Sequence, residues 1–279
     1  MGTGGSHSDG SVDHPRAVDA HADAAAYDPC PTSGNCKVMP FGDSITAGDS
    51  NITLPTNYMG ADYSHEGGYR IELFARAHAD GKRMTFVGSV SSGPTTVGGA
   101  TFPRMNEGHG GYTIDDEIVP GNDAASRTGI SPLLDPPASV VTTYQPDIIL
   151  LLIGINDLQH NFDVADAPGR LGALLDKIHA QDAHVLVMVG TLLPTGTAVA
   201  PDVGTQLNPS VDAFNIALAD AVATRAAAGQ HVALVDLHTP FADTASYATT
   251  LLSDNIHPSA AGYFLLGDSW YAAIRALLP

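Results

Sequence analysis

Four short blocks carry residue types that could do acyl-transfer chemistry. Gly42-Asp43-Ser44-Ile45-Thr46 holds a serine in a tight glycine-led turn, and Glu107-Gly108-His109-Gly110-Gly111-Tyr112-Thr113 is a second glycine-rich turn. Gly154-Ile155-Asn156-Asp157-Leu158 offers a carboxamide, and Asp254-Asn255-Ile256-His257-Pro258 sets a carboxylate three positions before an imidazole. A serine hydroxyl is a weak nucleophile until a base takes its proton. The base needs a carboxylate to orient it and to stabilise its charged form. The tetrahedral intermediate needs donors for its oxyanion. Ser44, His257 and Asp254 fill the first three roles. The backbone N–H groups of Ser44 and Gly111 and the Asn156 side chain fill the last. Each block alone reads as ordinary turn or helix-cap chemistry. Their conjunction, each at the end of an apolar run, points to a nucleophilic hydrolase. Thr46 stands where a Gly-x-Ser-x-Gly elbow requires glycine, so that motif is excluded.

Short apolar runs and amphipathic stretches must position these blocks. Lys37–Phe41, Met84–Gly88, Asp147–Ile153, His184–Val189 and His231–Leu237 read as buried parallel strands. Pro40 belongs at the very end of the first, because proline cannot donate to a ladder. Helices are expected over Tyr69–His78, Pro168–Ala180, Val211–Ala228 and Ala260–Leu277. Leu171, Leu174, Leu175 and Ile178 form one helical stripe, and Val211, Phe214, Leu218 and Val222 another. Strand–helix alternation with right-handed crossovers gives an α/β fold, a three-layer α/β/α sandwich around a parallel sheet of about five strands. Ser91–Asn106 and Thr191–Pro209 read as irregular loops that could wall a site at the strands' carboxyl ends. The Asp254–His257 turn would run directly into the last helix, with Pro258 at its first position.

The 279-residue chain is 44% hydrophobic, enough for a substantial core. Twelve Lys and Arg against 30 Asp and Glu give a formal net charge of −18. Such a surface repels phosphate backbones and anionic headgroups, so nucleic-acid binding and membrane-surface binding are not expected. The apolar run Ile148–Ile153 is too short for a bilayer span. Residues 1–36 read as a flexible leader and 37–279 as a single domain. Cys30 and Cys36 flank a turn-rich interval and suit a disulfide, which implies an oxidising compartment and a secreted protein. His7, His14 and His21 recur every seven residues but read as scattered histidines in a polar linker.

The four blocks resemble those of the SGNH (GDSL-type) hydrolases, named for Ser, Gly, Asn and His. Ser44 matches the nucleophile, Gly111 and Asn156 the oxyanion donors, and Asp254 with His257 the Asp-x-x-His block. The resemblance spans roughly Val38 to the C-terminus and implies a flavodoxin-like fold. Met39-Pro40-Phe41-Gly42-Asp43-Ser44-Ile45-Thr46, Gly67-Gly68-Tyr69-Arg70, Phe86-Val87-Gly88-Ser89 and Glu107-Gly108-His109-Gly110-Gly111 together are similar to carbohydrate esterase family 3. The chain departs from that branch at Gly110, where Ser is commoner, and at Tyr112, where Trp is commoner. The branch implies deacetylation of acetylated xylan or related sugars. The substrate expected is therefore a small ester or an acetylated polysaccharide, and no cofactor or catalytic metal is required.

Other residues invite weighing. His109 and His160, near the expected oxyanion donors, are candidate substrate contacts, though a supporting hydrogen bond is the favoured reading. Asp43 and Asp157 are expected to brace their loops. Asp115-Asp116-Glu117 offers hard-cation ligands for a structural calcium ion, against the favoured reading of an acidic first helical turn. Asn51-Ile52-Thr53 matches the glycosylation pattern. The competing functions are a broad short-chain esterase or lipase, a non-catalytic carbohydrate-binding protein on a hydrolase fold, and acyl transfer to a second sugar.

Overall fold

The computed structural model describes residues 27–48, 67–118, 122 and 126–279. The histidines at 7, 14 and 21 and the Asn51 glycosylation pattern lie outside them. In chain order the elements begin with β1 (Cys36–Gly42), α1 (Ser44–Ala47), α2 (Tyr69–Ala79) and β2 (Met84–Phe86). Four short strands follow: β3 (Val90–Ser91), β4 (Thr96–Val97), β5 (Ala100–Thr101) and β6 (Met105–Gly108). A 3₁₀ turn at Ser131–Leu134 leads to α3 (Val140–Tyr144), β7 (Ile148–Leu152), α4 (Ile155–Gln159), α5 (Ala167–Gln181) and β8 (Leu186–Gly190). The chain closes with α6 (Asn208–Ala227), β9 (Val232–Val235), α7 (His238–Ala242), α8 (Tyr247–Thr250) and α9 (Ala260–Ile274).

Among the described residues the main sheet has seven strands, more than the five expected. Its order is β3-β6-β1-β7-β8-β9, with β2 also paired to β1. Only β3 runs antiparallel, against β6. β1 lies at the switch point. The chain steps from β1 to β2 on one side, then from β7 to β8 to β9 on the other. Right-handed crossovers in opposite directions put α2 on one face and α5 and α6 on the other. α2 packs on α9, and α5 packs on α6. The result is the three-layer α/β/α sandwich of the flavodoxin-like fold.

The core follows the sequence pattern. β7 and β8 are buried throughout, as parallel strands covered on both faces must be. The stripe residues of α5 and α6 all face inward, and Val211, Phe214, Leu218 and Val222 are the buried residues of α6.

Three expectations need correction. Pro40 is not at the end of β1 but two residues inside it, in a central strand. The carbonyls of Val38 and Gly42 accept from Val87 and His109 on the β2/β6 side. Alternation turns Pro40 to that same side. There the neighbour changes from Phe86, opposite Val38, to Glu107, opposite Phe41. Its missing N–H falls in that gap and costs the β7 ladder nothing. Second, Ser91–Asn106 is not irregular. It carries part of β3, the β4–β5 ribbon and the start of β6. These strands of two to four residues are too short to show a period in sequence. Third, Asp115–Glu117 is not a helical turn. Glu117 and Arg127 exchange backbone hydrogen bonds of 2.9 Å, and the Asp116 carboxylate accepts from Gly129 N–H at 2.8 Å.

Residues 27–36 pack onto the domain. Cys30 and Cys36 form a disulfide, and the Tyr27 ring stacks on His231 with centroids 3.6 Å apart. Among the described residues no helix is long and apolar enough to cross a membrane.

Phe214 links the core to the site. A Cβ at Gly154, the residue before α4, would meet its ring at 2.9 Å. Phe214→Ala should cost about 3–5 kcal/mol, read from urea unfolding. A loss under about 1 kcal/mol would show that the ring's site collapses on truncation instead.

Candidate active site

The three strands that present the blocks are neighbours, in the order β6-β1-β7. β1 ends at Gly42 and hands the chain to Asp43, which caps α1, and Ser44 is the first residue of that helix. The Asp43 carboxylate accepts from Ile45 N–H at 2.9 Å and sets the entry to the turn. The second block begins on β6, not after β2 as the sequence suggests, because β6 itself escapes detection. From β6 the chain reaches Gly111, which adopts φ +77°. A Cβ there would meet nothing within 4 Å. The glycine thus answers to backbone conformation, not to crowding by neighbours. Gly108 is the opposite case, since a Cβ there would lie 2.3 Å from Ala47 N. That close approach seats the second block directly on α1. β7 leads to α4 and Asn156, whose carboxamide donates to Tyr112 O at 2.8 Å. One amide hydrogen is used there, and the group has two.

The fourth block does not follow β9 directly, because α7 and α8 intervene. Nor does Pro258 start the last helix. Ser259 caps α9, accepting from Gly262 N–H at 3.2 Å. The turn is stapled by its own acid. Asp254 Oδ1 accepts from Ile256 N–H and His257 N–H at 2.7 Å each, while Oδ2 takes His257 Nδ1 at 2.8 Å. Burial pulls the Asp254 pKa upward, but these hydrogen bonds and the imidazole beside it outweigh burial and leave it lowered. The carboxylate is acceptor-only, so Nδ1 carries the ring hydrogen and Nε2 presents its lone pair. That Nε2 stands 2.9 Å from Ser44 Oγ, across 213 positions of sequence. An alcohol aimed at an imidazole lone pair is set for deprotonation.

The two other histidines are engaged. His109 Nε2 lies 2.9 Å from Glu107 Oε2, and its ring stacks on Tyr112 with centroids 5.0 Å apart. Its backbone N–H donates to Gly42 O at 2.9 Å. Glu107 is fully buried and also accepts from Ser89 through its N–H and hydroxyl. His160 Nδ1 lies 2.9 Å from Asp202 Oδ2 and 3.4 Å from Arg127 Nη2. Asp157 accepts from Ile114 N–H at 3.0 Å and from Arg170 Nη2 at 2.9 Å, bracing the second block against α4. Burial raises its pKa, against the pull of Arg170.

Sequence reasoning assigned no role to Arg70. Its guanidinium, fully buried, donates to Thr46 O, Ala47 O, Ser92 O and Arg104 O over 3.2–3.4 Å and to Ser92 Oγ at 2.8 Å. The first two carbonyls belong to α1, so Arg70 holds the helix that bears Ser44. Its only signal was its place in the Gly67–Arg70 block. Asn255 was also missed. Its carbonyl accepts from Gly196 N–H at 2.8 Å and its side chain from Ala198 N–H at 3.1 Å. The long loop after β8 is thereby tied to the turn bearing His257. Among the described residues no group of three or more His, Cys, Asp or Glu could hold a metal ion.

A family model described as GDSL-like Lipase/Acylhydrolase family matches residues 41–265. The chain belongs to that family. It is a family of carboxylic ester hydrolases. Among curated proteins the chain is 26% identical over 247 residues to a multidomain esterase of Ruminococcus flavefaciens. That match covers 88% of this chain but 29% of the relative, so the chain spans under a third of its length. Among solved structures it is similar to the Clostridium thermocellum family 3 carbohydrate esterase. The TM-score is 0.63 and the identity 26%, over 87% of this chain and 97% of that one. A family 3 carbohydrate esterase from Talaromyces cellulolyticus shares the fold, with a TM-score of 0.60 and 20% identity over 87% and 97%. The resemblance to this branch of the GDSL hydrolases thus holds in both sequence and fold.

Asp43 is fully buried, and burial raises its pKa to about 7, despite the Ile45 N–H and the nearby His257. Its reference value is 3.8. Between these values the native state holds a proton that the unfolded chain has released, so stability falls as pH rises through that window. Asp43→Asn keeps the cap and removes the titration. Unfolding free energies from urea titrations at pH 4.5 and 7.5 should therefore differ less in the variant than in the parent, by at most about 3 kcal/mol. Equal differences would mean that Asp43 ionises normally. Arg70→Met should lower kcat more than it raises KM, because α1 carries Ser44, the candidate nucleophile. A rise in KM alone would refute that reading.

Proposed function

We propose that this domain is a serine esterase that removes short acyl groups, acetyl foremost, from acetylated carbohydrate. The observation that carries the reading is the unbroken chain Asp254–His257–Ser44, with contacts of 2.8 and 2.9 Å. Ser44 Oγ attacks the ester carbonyl while Nε2 of His257 takes its proton. Asp254 holds the resulting imidazolium in place. The oxyanion is met by the N–H of Ser44, which as the first residue of α1 has no intrahelical acceptor, by Gly111 N–H and by the second hydrogen of the Asn156 amide. The protonated imidazole hands its proton to the departing alcohol. Water then repeats the sequence on the acyl-enzyme and releases the acid. Every proton and charge in this cycle has a residue of this chain to hold it, so no metal or cofactor enters a step.

The sugar assignment rests on the similarity to a family 3 carbohydrate esterase at 26% identity. A chain of net charge −18 suits a neutral substrate better than an anionic one. The reading takes residues 37–279 as one catalytic domain led in by 1–36. The Cys30–Cys36 disulfide supports an oxidising, extracellular setting.

Ser44→Ala should abolish turnover with the fold intact, and an organophosphonate should label Ser44. Absence of an adduct would favour a binding module over an enzyme. Asn156→Ala should lower kcat by about 10²–10³-fold, and full-speed turnover would remove Asn156 from the oxyanion site. Rates on acetylated xylan should exceed those on aryl esters and fall as the acyl chain lengthens. A preference for long acyl chains would make the enzyme a lipase instead.

A further inference from the structure

His160 occupies a place that neither the fold nor the proposed acyl chemistry explains. It follows the last residue of α4 and donates its N–H to Asn156 O at 3.0 Å. Positions i and i+4 share one helical face, with Cβ atoms about 5–6 Å apart. Asn156 turns its carboxamide toward the Gly111–Tyr112 turn. His160 therefore projects from the same face, one turn farther from β7.

Three separate loops meet there. His160 comes from the end of α4, Asp202 from the loop after β8, and Arg127 from the segment following Thr113. Both partner loops are registered to the site. The first is bound to the His257 turn through Asn255. The second is clamped by the Glu117–Arg127 backbone pair and by Asp157 through Ile114. Asp202 is acceptor-only and 2.9 Å away, so Nδ1 carries the hydrogen. Arg127 at 3.4 Å is then a neighbouring cation, not a donor to that nitrogen. In the neutral ring Nε2 is an acceptor. It has no hydrogen-bond partner among the described residues, and the side chain is 21% exposed. A carboxylate, a guanidinium and a free imidazole acceptor at one place suit a polyhydroxylated ligand. A wall built for a long acyl chain would be apolar.

We propose that His160, oriented by Asp202 and flanked by Arg127, is the leaving-group subsite, accepting a hydroxyl of the sugar on Nε2. The proposal rests on the sugar-ester reading above and adds the residue that selects the alcohol half of the substrate. Steady-state kinetics of the full chain, His160→Ala and Asp202→Asn, on an acetylated xylo-oligosaccharide and on p-nitrophenyl acetate, test it. For His160→Ala the ratio of kcat/KM between sugar ester and aryl ester should fall about tenfold, carried by KM on the sugar ester. Asp202→Asn should move the ratio in the same direction by less, because the ring keeps a neighbour but loses its orienting charge. An unchanged ratio in His160→Ala, with the parent preferring the sugar ester, overturns the subsite and leaves the sugar-ester reading standing. An equal loss on both esters also overturns it, making His160 a support for Asn156. A parent with no preference for the sugar ester overturns the sugar-ester reading itself, and the subsite with it.

Discussion

The structure turns on one hydrogen-bonded line, from Asp254 through the His257 ring to the Ser44 hydroxyl. Its ends come from opposite ends of the domain's sequence, so their contact is a tertiary achievement with no local help. The two halves are made rigid in different ways. Asp254 accepts from two backbone N–H groups of its own turn, which fixes it relative to His257 through local contacts alone. Ser44 sits on a helix of only four residues, which has no stability of its own. That helix is held by Asp43 at its start, Arg70 at its end and Gly108 pressed against its flank. A hydrogen bond tolerates a few tenths of an ångström, and three restraints on four residues supply that precision.

The same constraint explains the sheet. Ser44, Gly111 and Asn156 can converge because β1 has β6 on one side and β7 on the other. Each strand ends at the same edge and releases its loop toward a common point, the crevice outside the carboxyl ends where α/β sheets bind ligands. Pro40 fits this plan. It sits in the central strand where one neighbour ends and the next begins, so the sheet changes partner at the residue that could not have served either.

How much of this was legible in sequence depended on whether the signal was local. The stripes of α5 and α6 are local, and all eight of their apolar positions are buried. The Asp254–His257 spacing is local too, and so is the glycine-led turn at Ser44. β6 was not legible. It is four residues long, reads Met-Asn-Glu-Gly, and owes its extended state to β1 alongside it. Ser259 was passed over for Pro258 as the start of α9, although its side chain is the better cap. Arg70 and Asn255 were invisible for a different reason. Apart from Ser92 Oγ, their partners are backbone carbonyls and amides of distant segments, and a backbone group leaves no mark on the sequence that contacts it.

Burying two carboxylates beside the proposed nucleophile looks costly, and the costs fall differently on the two. Asp157 is compensated by Arg170 and by Ile114 N–H, so its charge has partners on both oxygens. Asp43 has a partner on Oδ1, while Oδ2 has none among the described residues. A shorter or neutral cap would avoid that penalty, since serine and asparagine cap helices as well as aspartate. What aspartate adds is a carboxyl beside His257 that can ionise, though burial holds it protonated up to a pH of about 7. The cost of ionising Asp43 and its attraction to His257 are thus two consequences of one placement. Neutralising Asp43 should then add stability above a pH of about 7, the direction expected from a general trade of stability against activity.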